Sequence, residues 1–227
     1  MNAELEPIFD KYKTLVKQLD DIFDRVRNQY PACVQCKLEC SDCCHALFDL
    51  SLVEALYINR QFLEKEAMEE IPKILEKANQ ADRRIYQLKR KAFKALDAQE
   101  KTEDQILLEM AAERVRCPLL NDKNRCELYD DRPITCRLYG IPTAIAGRGH
   151  TCGLSAFKEG ESYPTVNLDS IHAKLHEWSQ EVVTLLHSKH VKMGELLMPL
   201  SMALLTVFDD SYLGVEREKG DSKETKE

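Results

Sequence analysis

The chain has 227 residues, 44% hydrophobic and 31% charged, with a net charge of −7. That balance is ordinary for a globular protein and too apolar for a disordered one, and with only eight Gly and eight Pro it excludes collagen-like and linker-like designs. A pI near 5.5 speaks against a dedicated nucleic-acid binder, and no apolar run approaches the roughly 18 residues of a membrane span.

The start, Met1-Asn2-Ala3-Glu4-Leu5-Glu6, lacks the basic-then-apolar profile of a signal peptide, so a cytoplasmic location is expected. From Leu5 through Tyr12, Leu19 and Val26 to Tyr30, apolar residues recur by threes and fours, which predicts one long amphipathic helix ended by Pro31. Ser51-Leu52-Val53-Glu54 has the pattern of a capping box and predicts a helix to about Glu64. A second long pattern runs from Ile71 through Ile85 to Leu96, with Pro72 tolerated in its first turn, and a shorter helix is expected over Glu103 to Arg114.

From Cys117 to about Ser162, Pro118, Pro133, Gly140, Pro142, Gly147, Gly149 and Gly153 punctuate the chain and predict irregular loop. Helix is expected again at Ile171 to Leu185, and a last one at Leu196 to Val207 with Pro199 near its first turn. The stretch 215–227 has nine charged residues of thirteen and no apolar period, and is expected to be a disordered tail. The reading is an all-α fold: one compact helical domain over 1–214, with a cysteine-rich, metal-organised loop region.

The cysteines carry the chemistry. Five of the nine, Cys33, Cys36, Cys40, Cys43 and Cys44, fall within twelve residues; the others are Cys117, Cys126, Cys136 and Cys152. Crowding of this kind in a reducing compartment points to metal rather than to disulfides. Spacings of two to four between thiolates let a short loop wrap a metal, whereas the wider second spacings need a scaffold. Two half-sites, 36–44 and 117–152, brought together by the fold, are the expectation. The side chains of adjacent Cys43 and Cys44 are expected to diverge, which favours ligands to two irons or two neighbouring metals. Eight thiolates exceed the four that one zinc ion or one four-iron cluster requires, so both iron–sulfur and zinc stay open. Arg132 and Arg137 flank Cys136, and His45 and His150 sit beside cysteines. Each is either a solvated surface group or a charge-compensating or cofactor-binding one.

The segments Cys36-Lys37-Leu38-Glu39-Cys40-Ser41-Asp42-Cys43-Cys44-His45, Cys117-Pro118-Leu119-Leu120 and Cys126 to Tyr139 resemble the zinc- or iron-chelating cysteine-cluster family, the CxxCxxCC or YkgJ type. The resemblance implies an eight-cysteine ligand set, here Cys36, Cys40, Cys43, Cys44, Cys117, Cys126, Cys136 and Cys152, with Cys33 as the extra one. It also implies a redox or protein-modification role like that of lysine methylases. The alternative is a zinc-binding structural, interaction or metal-handling module. Metal and a protein partner or substrate are the expected partners; nucleic acid and membrane are not.

Overall fold

In the computed structural model, residues 2–37, 39–65 and 69–215 are described. The first apolar stripe folds as helix α1 (Asn2–Gln29), and its buried face, with Leu5, Tyr12, Leu19 and Val26, packs on α2 (Leu52–Lys65), α5 (Ile134–Leu138) and α6 (Leu168–Leu185). Helix α2 is buried almost all round, from Leu52 to Asn59 and again at Phe62, which makes it the central element rather than an amphipathic surface helix. Asn59 fixes it to α7 (Leu200–Leu205): its Nδ2 donates to the carbonyls of Ala203 at 2.9 Å and Thr206 at 3.2 Å, occupying acceptors that the helix end leaves open. Helix α3 (Ile71–Asp97) lies on α7 through Ile74, Ala78, Ala81 and Ile85, and α4 (Glu103–Ala112) folds back on α3.

The fold is mostly helical but not purely all-α. Five short strands occur among the described residues: β1 (Asp49–Ser51), β2 (Thr143–Ile145), β3 (Arg148–His150), β4 (Val166–Asn167) and β5 (Leu197–Pro199). Strands β1 and β5 pair antiparallel with Leu50 opposite Met198; β2 lies between antiparallel β3 and parallel β4. The last helix is therefore shorter than its apolar pattern suggests. Leu197 and Met198 are extended because they pair with β1, and Pro199, which cannot donate within a helix, stands at the boundary.

The capping box expected at Ser51 does not form. Ser51 Oγ is buried without a hydrogen-bond partner among the described residues, and Glu54 turns into the core. The N–H of Val53 is taken by Ser179 Oγ of α6 at 3.2 Å instead. A capping box forms at α4, where Thr102 and Gln105 satisfy each other's backbone N–H groups. No described helix is long and apolar enough to cross a membrane. The expected disordered tail lies, beyond Val215, outside the described residues.

Candidate metal centre

The first half-site turns on a single 3-10 turn, Asp42–His45, which carries Cys43 and Cys44. The backbone beside it is zipped to the second half-site: the N–H of Cys117 donates to the Cys44 carbonyl at 2.7 Å, and that of Val115 to the His45 carbonyl at 3.0 Å. Arg114 adds a brace, donating to the carbonyl of Asp42 at 2.8 Å, to its carboxylate and to the hydroxyl of Tyr139. Residues 46–114, with helices α2, α3 and α4, separate the half-sites in sequence, yet two backbone hydrogen bonds join them.

The Cys117–Cys126 segment folds into a tight loop. Leu120 bridges to Cys126, the N–H of Glu127 donates to the Leu119 carbonyl at 2.9 Å, and Asn121 Oδ1 accepts from the N–H groups of Lys123 and Arg125. Cys136 sits in α5, whose N-terminus begins at Pro133, a residue with no capping side chain. Glu54 supplies the cap from α2: its Oε1 accepts from the Ile134 N–H and the Tyr12 hydroxyl, both at 2.8 Å. Gly140 closes the site on the far side. A Cβ there would stand 2.1 Å from Cys36 Sγ, so any larger residue would displace the Cys36 sulfur from the end of α5.

Hydrogen bonds and mutual charge effects show which thiols are neighbours. The Cys43 thiol, beside Cys136 and Cys44, is held well below its ordinary range, and theirs are pushed up. Cys117 and Cys126 feel Cys43 as well; burial pushes them up to about 12 and about 11, opposed by N–H groups of Leu119 and Leu120 on Cys117 and of Leu128 on Cys126. Cys36 is exposed as a residue, but burial of its sulfur against Gly140 pushes it up to about 11, and Cys40, Cys152 and Cys43 act on it in turn. Cys152 is raised by burial; it accepts the Leu154 N–H at 3.4 Å and its thiol faces the Asp42 carboxylate at 3.6 Å. The thiols thus form an inner group, Cys43, Cys44, Cys117, Cys126 and Cys136, and an outer group, Cys36, Cys40 and Cys152. Among the described residues no three Cys, His, Asp or Glu side chains already stand as a ready ligand polyhedron. Cys43 and Cys44 lie side by side in the 3-10 turn, Cys44 buried and Cys43 half-buried.

The family described as "Putative zinc- or iron-chelating domain" (CxxCxxCC) matches residues 35–153, just over half of the chain. The chain belongs to this family. Metal binding, by zinc or by iron, including iron in an iron–sulfur cluster, is consistent with that membership. Neither the curated proteins nor the solved structures contain a significant match to the chain.

The donor set of this cysteine-cluster protein is of the kind that suits a thiophilic metal: soft sulfurs gathered on two segments, with the Leu154 N–H donating to one of them. The four further residues singled out in the sequence separate. Arg132 lies over the Tyr129 ring at 4.0 Å, and its charge opposes the rise of the Cys36 and Cys126 thiols and adds to the lowering of Cys43. Arg137 is buried and directed elsewhere. It donates to Asp20 Oδ2 at 2.7 Å, to the Arg132 carbonyl at 2.9 Å and to the Asp130 carbonyl. His150 is exposed on β3. His45 turns its Nδ1 to the Ser41 carbonyl at 3.0 Å. Asp42, Arg114, Glu54 and Gly140 are not legible as site residues in the sequence, where Glu54 reads as half of a capping box and Gly140 as loop punctuation.

Proposed function

We propose that this protein holds an iron–sulfur cluster on thiolates drawn from Cys36, Cys40, Cys43, Cys44, Cys117, Cys126, Cys136 and Cys152, and uses it in a redox or protein-modification role. The observation that carries the reading is the Leu154 N–H donating to Cys152 Sγ at 3.4 Å, with N–H groups downstream of Cys117 and Cys126 opposing the rise of those thiols in the same way. Such bonds favour thiolate over thiol and are one of the levers by which a protein sets a cluster's potential. When bound, the cluster would supply one-electron chemistry. The chain's own part is to fix the sulfurs, to exclude water with the packed side of α5, and to offset thiolate charge with Arg132. Cys33 stands outside the ligand set.

Zinc in a structural or metal-handling centre is the second reading, and one observation favours it. The crevice that reaches Cys43, Cys44, Cys117 and Cys136 holds only about 40 Å³, room for water and not for a peptide side chain. Anaerobic purification followed by metal and acid-labile sulfide analysis and an optical spectrum tests the proposal. Iron with stoichiometric sulfide and a visible charge-transfer band is the expected result. Colourless protein with stoichiometric zinc selects the second reading, and folded protein with neither metal overturns both.

A further inference from the structure

The hairpin of α3 and α4 is unlike the rest of the molecule. Helix α4 has Ile106, Leu107, Leu108 and Met110 in ten residues, yet none of its residues is buried. Leu107 and Leu108 are 66% and 69% exposed, and on α3 Tyr86 and Phe93 are 64% and 68% exposed. Apolar side chains gathered on one protruding element mark a contact surface, whereas single ones scattered over a protein do not.

Charge decides what such a surface fits. Residues 83–96 contain six Lys or Arg and no acid, and residues 97–113 contain six acids and one Lys. Only part of this charge is paired internally: Arg84 with Glu113, Lys101 with Glu109, Lys89 with Asp49 and Arg148 with Asp104. Arg83, Arg90, Lys91 and Lys94, and likewise Asp97, Glu100 and Glu103, make no ion pair among the described residues. At helical spacing Arg83, Arg90 and Lys94 share the face opposite buried Ala81, Ile85 and Leu88, with Tyr86 and Phe93 at its edge. One hairpin therefore presents a basic stretch and an acidic stretch of equal count, with exposed apolar side chains on both helices.

We propose that the α3–α4 hairpin is a self-association surface, bound by the same hairpin of a second copy of this chain about a two-fold axis. In such an isologous contact each partner's basic stretch meets the other's acidic stretch, and both are satisfied at once. A polyanion such as nucleic acid would use the basic half, meet repulsion from the acidic half and leave Leu107 and Leu108 uncovered. The self-complementary reading accounts for all three features.

Sedimentation equilibrium of the full chain, as purified with its metal, tests the proposal at low and high salt. Wild type is expected to dimerise, more weakly as salt rises. Arg90→Glu with Lys94→Glu, and separately Asp97→Lys with Glu103→Lys, are each expected to weaken dimerisation by at least about tenfold, and an equimolar mixture of the two variants to recover it. Leu107→Ser with Leu108→Ser, at exposed positions where folding is not at stake, is expected to weaken it as well. Circular dichroism and metal content stay unchanged throughout. A monomeric wild type, a dimer indifferent to all three variants, or a monomer that retains nucleic acid through Arg90 and Lys94 overturns the proposal.

Discussion

Glu54 illustrates how one buried side chain serves the centre from a distance. It is 3% exposed, and burial raises its carboxyl pKa against the hydrogen bonds from Ile134 and Tyr12 and the charge of Arg137. An acid whose folded-state pKa lies above its unfolded value adds stability that is fully present below the unfolded pKa and lost as pH rises through the folded one. Wild-type apoprotein should therefore lose stability, relative to Glu54→Gln, as pH rises from the ordinary carboxyl range through the raised value. Urea unfolding of both proteins across that window measures the difference, and parallel curves would show that Glu54 does not titrate as described. Arg137 is the complementary case. With its donors on Asp20 and two carbonyls, Arg137→Met should destabilise the protein by roughly 2–4 kcal/mol and leave metal content at native conditions unchanged. An unchanged unfolding midpoint together with a shifted reduction potential would place Arg137 at the metal instead.

At the scale of elements, the two half-sites stand or fall together. Cys117, Cys126 and Cys136 are too far apart in sequence to chelate unaided, and the backbone bonds from residues 115 and 117 to residues 44 and 45 hold them against the first group. Replacing the three with Ser should abolish metal binding, whereas Cys33→Ser should leave metal content unchanged by elemental analysis; retained metal in the triple variant would refute the joint site. Gly140→Ala probes the same junction more gently, because a methyl group there displaces the Cys36 sulfur. Its metal content or optical spectrum should move toward that of Cys36→Ser, and an unaltered spectrum would remove Cys36 from the ligands. Much of this was legible in the sequence. The long helices are, because their apolar period is local, and the cysteine spacing is, because metal chemistry restricts it. The short strands are not: Leu197 and Met198 have helical spacing and become extended only through pairing with β1. Nor is the cap on α5, since the residue that supplies it lies eighty positions earlier and reads locally as part of a capping box of its own. The direction taken by Arg137 is equally hidden, because Asp20 is a neighbour only once α1 has packed on α5.

For the whole molecule, the question is whether metal organises the fold or only one side of it. A structural zinc ion holds small domains folded because they lack a core of their own, contributing about 10–16 kcal/mol. Here a contiguous apolar core runs through α1, α2, α6 and α7, and α2 is enclosed by the other three with no cysteine among their residues. Around the thiols the apolar support is thinner. The described residues of 33–45 and 115–156 join that core through Val34, Leu119, Leu128, Ile134, Leu138 and Ile141, and are otherwise held by turns, one five-residue helix, two three-residue strands and the bonds between half-sites. Removing metal should therefore raise amide hydrogen exchange across 33–45 and 115–156 while α1, α2 and α6 keep their protection and most of the helical circular dichroism remains. Ala156 offers a sensitive reporter, because its N–H donates to the Cys33 carbonyl at 2.9 Å and protects only while the two segments stay docked. Uniform loss of protection, reaching α2 as early as the cysteine segments, would mean that the centre and the helical core unfold as one unit and that metal holds both.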